Sequence, residues 1–219
     1  MMATLLFALL GAVAGVALDA LAVRLTSKPA ADEDIAVSAG SVWQRRLVMA
    51  GATAGLFALA ASRYQDDASH AAVVAAYACV LLTCAVTDIR RFRVPNALTY
   101  PAIAAALVAG TAMPGADLRH VIAGGALAAG LLFAPALWSG GLAVGMGDVK
   151  LAAFAGLALG VQHVVAALVV MALAGGVVAL ALLLSGRRGR GDAIPYAPFI
   201  SAGALASLYW QGAAFRGLL

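Results

Sequence analysis

Charge is scarce in this chain. Asp, Glu, Lys and Arg make up 11% of its 219 residues, against roughly a quarter in ordinary globular proteins. With 64% hydrophobic residues and a mean hydropathy of +0.98, that scarcity excludes a soluble domain and leaves a polytopic membrane protein. Cysteine is almost missing too: Cys79 and Cys84 lie in one apolar segment, which suits packing and argues against a disulfide framework or a zinc site. No basic run is interleaved with aromatics, so the net charge of +4 reads as topology and no nucleic-acid partner is expected. Period-two alternation is absent where Ala, Leu, Val and Gly dominate, which argues against a membrane β-barrel. HExxH helices, GxSxG elbows and Walker-type phosphate loops are missing as well.

What is present is a series of apolar runs, most of them near the ~20 residues that cross hydrocarbon as a helix. The expected fold is all-α, with about eight transmembrane helices. They fall near Met2–Val23, Leu47–Ala61, Ala71–Val86, Ala97–Ala112, Val121–Trp138, Val149–Gly160, Val164–Leu184 and Pro198–Trp210. Pro101 is expected to break the fourth early, and Pro135 lies near the end of the fifth. The first is read as a retained helix and not a signal peptide, because basic residues follow it instead of preceding it. The segment Arg24–Gln44, with Lys28-Pro29 and Asp32-Glu33-Asp34, reads as an exposed, loosely ordered loop. Residues 1–69 then form an N-terminal two-helix region with a short cytoplasmic loop, and residues 70–219 a six-helix core.

Basic residues near helix ends mark the cytoplasmic side. With the N-terminus outside, Arg24, Lys28, Arg45, Arg46, Arg90, Arg91, Arg93, Lys150, Arg187, Arg188 and Arg190 face inward. Arg63, Arg119 and Arg216 face outward, which accounts for all 14 basic residues. Trp43, Tyr64, Trp138, Tyr209 and Trp210 fall at helix ends, as interfacial aromatics do. His70, His120 and His163 land on the outer side.

Two acids stand out against this background. Asp148 follows the Gly-rich stretch Ser139–Gly147 and opens the sixth crossing; Asp88 closes the third from the same face. Gly145 and Gly147 let the backbone turn tightly and approach closely, since glycine carries no Cβ. Carboxylates beside membrane helices are costly to hold and mark functional sites. Blander readings stand beside this one. Asp148 could cap its helix, Asp88 could be held by Arg90, Arg91 or Arg93, and Lys150 could be a snorkelling interfacial charge. If the third and sixth crossings are neighbours the carboxylates meet, and a pair sharing a site shares a proton. One ionised and one protonated acid suit peptide hydrolysis without a metal. An alternative is a proton-coupled transporter or channel with Asp19, Asp88 and Asp148 as a relay; against it, Asp88 and Asp148 both lie near one face, and no inverted repeat is visible.

Three segments resemble the type IV prepilin peptidases, a family of GxGD intramembrane aspartic proteases. They are Thr87–Thr99, with an acid, a basic turn and Val94-Pro95-Asn96; Gly145-Met146-Gly147-Asp148-Val149-Lys150-Leu151; and Ile194-Pro195-Tyr196-Ala197-Pro198-Phe199. The resemblance runs from about Ala71 to the C-terminus. It implies Asp88 and Asp148 as catalytic aspartates, with Gly145, Gly147, Lys150, Arg90, Pro95, Asn96, Pro195 and Pro198 as supporting motif residues. It further implies an inner (cytoplasmic) membrane location and cleavage of the short basic leader from prepilins or pseudopilins at the cytoplasmic face, beside membrane lipids. No cofactor is implied for peptidase chemistry. Gly15–Leu25 is similar to the family's first helix, with Asp19 in place of its Asn. Bifunctional members carry paired CxxC motifs in the following loop and methylate the product with S-adenosylmethionine. This loop is short and lacks cysteine, so no zinc is implied, and S-adenosylmethionine enters only where methyl transfer is retained.

Overall fold

A hairpin of two helices begins the chain. The computed structural model describes residues 2–26, 39–139, 144–185 and 194–214. Lys28, Pro29, Asp32, Glu33, Asp34, Gly140, Gly141, Arg187, Arg188, Arg190 and Arg216 therefore lie outside the described residues. Helices α1 (Met2–Thr26) and α2 (Ala39–Arg63) belong to the first of two compact units, Met1–Cys79. Their register is readable in steps of four. Phe7 meets Phe57; Gly11 faces Thr53; Gly15 faces Met49 and Thr53; and the Arg45 Nε donates to the buried Asp19 Oδ1 at 2.6 Å. A Cβ on Gly15 would lie 2.2 Å from the Thr53 Oγ1, so only glycine allows this approach. Small residues four apart at a helix seam are how membrane helices associate without a hydrophobic driving force.

The second unit, Val80–Leu219, takes in the end of α3 (Ala68–Arg91) and then α4 (Asn96–Ala112), α5 (Leu118–Trp138), α6 (Met146–Leu184) and α7 (Ala197–Trp210). Here α5 and the first part of α6 touch backbone to backbone, a Cβ on Gly156 lying 2.2 Å from the Gly124 oxygen. Helix α7 packs on the second part of α6, with Ser207 Oγ donating to the His163 carbonyl at 2.9 Å. It also packs on α3, with Ser201 Oγ donating to the Leu81 carbonyl at 2.9 Å.

Among the described residues all regular structure is helical, in a polytopic membrane protein whose α1, α3, α5 and α6 are long and apolar enough to span a bilayer. The sixth and seventh expected crossings form one element, α6, interrupted at Gly160, whose φ of 69° and ψ of 169° belong to glycine. Among the described residues, eight helical segments thus occupy seven elements. At the interruption the Ala158 carbonyl accepts the Ala214 N–H at 3.0 Å. Pro101 does not break α4, which runs through it; a proline this early removes one helical hydrogen bond and leaves the first turn intact. Helix α2 starts eight residues before its apolar run because Arg45 and Arg46 are themselves helical. Trp43, Trp138 and Trp210 are exposed at helix ends, whereas Tyr64 turns inward and stacks on His70.

Candidate active site

The last turn of α3 carries Asp88, and the chain reverses immediately after it. Phe92 ends the helix with a φ of 50°, its N–H bonding back to the Asp88 carbonyl at 2.8 Å. That left-handed position is usually glycine's, and a bulky residue there costs about 1 kcal/mol. Pro95 then precedes α4 with extended backbone, as proline's fixed φ favours at a helix start. The reversal lays Val94, which is buried, against the first turn of α6. Gly147 makes room for it, since a Cβ there would stand 3.0 Å from the Val94 Cβ.

The two motif glycines therefore differ. Gly147 serves a close approach, while Gly145 has a φ of −74° and a ψ of 150°, extended backbone that any residue adopts. Neither glycine has a positive φ. Gly145 is the N-cap of α6, and Asp148 sits three residues on, its Oδ2 accepting the Gly145 N–H at 3.3 Å. Asp148 thus caps its helix in the reach-back manner of a capping box. Its other oxygen, Oδ1, is enclosed and has no hydrogen-bond partner.

Asp88 is held differently. The residue is 5% exposed, and its Oδ2 accepts the Ala197 N–H at 3.0 Å. The first N–H groups of a helix lack partners within it and carry the positive end of its dipole, so the start of α7 is a natural seat for a carboxylate. Pro198 stands in that first turn, where its missing N–H costs nothing. This gives the Ile194–Phe199 segment a physical purpose: it aims a helix start at Asp88. The partner of Asp88 is thus a backbone N–H, where the sequence offered Arg90, Arg91 or Arg93.

Asp88 and Asp148 line one open cavity of about 280 Å³, together with Phe92, Arg93, Val94, Asn96, Gly145, Met146, Gly147 and Lys150. The carboxylates are close enough to interact electrostatically. Lys150 bridges two helix starts, its Nζ donating to the Asn96 Oδ1 at 3.0 Å and lying 4.9 Å from the Tyr100 ring centroid. Burial pushes the Tyr196 phenol up from its usual value, and the Asp148 charge adds to the shift. Arg90 lies half-buried in the last turn of α3 and does not line the cavity; Arg93 does.

Phe92, Met146 and Arg93 are cavity residues that the motif pattern did not single out. The position of Arg93 between Asp88 and Pro95 was the available signal; nothing in the sequence marks Phe92 as left-handed. Asp19 sits in the first unit, bound to Arg45, and is not among the lining residues. None of the three histidines lines the cavity either. His70 and His120 pair with Asp67 and Asp117 at the starts of α3 and α5.

Residues 75–180 match the model of the type IV leader peptidase family. Among curated proteins, the chain is similar to a prepilin leader peptidase/N-methyltransferase of Bacillus subtilis (strain 168). The two are 37% identical over 166 residues, which cover 72% of this chain and 63% of that protein. A protein of the same description from Burkholderia pseudomallei (strain 1026b) is 32% identical over 148 residues, covering 65% of this chain and 48% of its own length. The chain thus spans about half to two thirds of the length of these relatives. No solved structure matches it. Asp88, Asn96, Asp148 and Lys150 all lie inside residues 75–180, the segment of this chain that matches the type IV leader peptidase family.

Proposed function

We propose that the chain is a membrane-embedded aspartic endopeptidase that removes the short basic leader of type IV prepilins or pseudopilins. The observation that carries this reading is the shared cavity: two acids sixty residues apart in sequence line one opening, within the family match. The reaction uses one proton held between the two carboxylates. The ionised acid takes a proton from a water as its oxygen bonds to the scissile carbonyl carbon, while the protonated acid donates to the carbonyl oxygen. Collapse of the tetrahedral intermediate breaks the C–N bond. The proton gained from water passes to the leaving amine, and the other returns to the dyad. Asp88, seated on the Ala197 N–H, is positionally fixed; Asp148 Oδ1, enclosed and without a partner, is the atom left for water or substrate.

The cavity opens at the C-terminal end of α3 and the N-terminal ends of α4 and α6, with Arg93 and Lys150 in its lining and Arg90 and Arg91 in the last turn of α3. The positive-inside bias assigns that end to the cytoplasmic face of the inner membrane, where a pilin's leader junction would emerge from its membrane helix. Peptide hydrolysis here calls on no cofactor. S-adenosylmethionine belongs only to a second, methyl-transfer step, and no residue of this cavity is assigned to it. Co-expression with a candidate prepilin, followed by intact-mass measurement of the pilin, tests the reading. Loss of the leader is expected, and a further gain of about 14 Da would reveal methylation. An uncut pilin with every candidate substrate would overturn the peptidase assignment.

A further inference from the structure

Lys150 stands where a cation is locally unwelcome. It occupies the first turns of α6, near the positive end of the helix dipole, and its ammonium reaches to Asn96, the first residue of α4, where a second positive end begins. A lysine kept between two helix starts needs compensation, and the structure shows it: the Asn96 Oδ1 at 3.0 Å and the Tyr100 ring face at 4.9 Å. The bond closes a loop of the fold. Asn96 directly follows the reversal that leaves Asp88, and Lys150 lies two residues beyond Asp148. A second close approach between these two stretches is Val94 on Gly147, an apolar contact without the direction of a hydrogen bond.

We infer that Asn96 and Lys150 form a clasp that holds the turn after Asp88 on the first turn of α6, and so sets the approach of the two carboxylates. Both are positioning residues. Neither is asked to touch the scissile bond, and the proposal rests on the peptidase reading only for its kinetic consequence. Because the clasp acts on geometry and not on substrate capture, its loss lowers kcat and leaves KM nearly unchanged. A misplacement on the order of 1 Å suffices for about a hundredfold loss. Its two halves also act as one, so removing both should be no worse than removing either.

The test compares Asn96→Ala, Lys150→Ala, the double variant and Lys150→Arg in leader cleavage. In parallel, nitroxide labels at Ala97→Cys and Met146→Cys, in a Cys79→Ser/Cys84→Ala background, report the distance between the starts of α4 and α6. Expected are matched kcat losses in both single variants, no further loss in the double, substantial rescue by Lys150→Arg, and a distance distribution that broadens when either half of the clasp is removed. Asn96→Ala alters an exposed side chain, so it reads the clasp even if Lys150→Ala folds poorly. Additive losses, or a raised KM, with an unchanged distance distribution would overturn the clasp. If the unaltered chain cuts no pilin, the peptidase reading falls while the label distances still decide the clasp: broadening upholds it and an unchanged distribution sinks it.

Discussion

The first unit and the second each bury an aspartate among apolar helices, and they treat it in opposite ways. In the α1–α2 hairpin, Asp19 is fully enclosed and neutralised by Arg45 at 2.6 Å. In the second unit, Asp88 accepts the Ala197 N–H and Asp148 the Gly145 N–H, and both line an open cavity. A guanidinium sets a full opposite charge against the carboxylate. A helix start positions the acid without neutralising it. Both settings bury an acid, and what separates them is the kind of partner it is given.

Exchanging acid for amide in both places should separate the two roles most sharply. Asp88→Asn or Asp148→Asn is expected to reduce leader cleavage by about a thousandfold or more, with the protein still present in the membrane. Asp19→Asn should leave turnover within about threefold, as expected of a group outside the reacting set. Cleavage rates from a co-expressed prepilin, normalised to enzyme in the membrane fraction, give the comparison. Near-normal cleavage by either of the first two variants would remove the dyad from the mechanism.

Stability should rank the acids the other way. Arg45→Met leaves the Asp19 carboxylate buried without its cation, a change that costs about 3 kcal/mol. The double variant Asp19→Asn/Arg45→Met should recover much of that loss, because no uncompensated charge remains. Thermal unfolding in detergent measures both. Equal destabilisation in the single and double variants would show that the pair contributes through packing and not through charge.

The same contrast explains what could be read from the sequence. Spans were legible because apolar length and the bilayer impose one another: α3, α5 and both parts of α6 lie where the hydropathy runs lie. Their ends were less so. Helix α2 extends back through Arg45 and Arg46, since helical backbone continues through charged residues outside hydrocarbon. The acid pair was legible from topology, because Asp88 closes one span and Asp148 opens another on the same face. The Ala197 N–H was not, because a backbone donor has no side-chain signature. Pro198, marking a helix start, was the one trace of it. The Asn96–Lys150 bond was also hidden, although a lysine at the wrong end of a helix dipole was a usable warning.

Gly160 offers a smaller effect, and it concerns how α6 changes partner. Before it, α6 packs on α5 through Gly156 and Gly124; after it, on α7 through Ala167 and Gly203. Its φ of 69° is a region that side chains avoid, so Gly160→Ala should destabilise the chain by about 2 kcal/mol. Gly176, where an added Cβ meets nothing within 4 Å, is the control; Gly176→Ala should be neutral or slightly stabilising. Unfolding midpoints of the two variants decide whether the interruption is held by glycine's freedom or by packing alone.

The smallest expected effect belongs to an acid of a third kind, one exposed outside the spans. Asp67 accepts hydrogen bonds from the Ser69 N–H and hydroxyl and from the His70 N–H, just before α3. The Ser69 side chain, followed by the His70 backbone, lowers its carboxyl from 3.8 to about 2. A carboxylate whose folded value is depressed stabilises the fold at pH above its unfolded value, and that contribution fades as the pH falls from 3.8 toward about 2. Solvent surrounds this group, so the contribution is modest. Unfolding midpoints of the parent and of Asp67→Ala should converge as the pH falls through that interval and stay apart above it. A constant offset at every pH would mean that the side chain matters for its shape at the helix start and not for its charge.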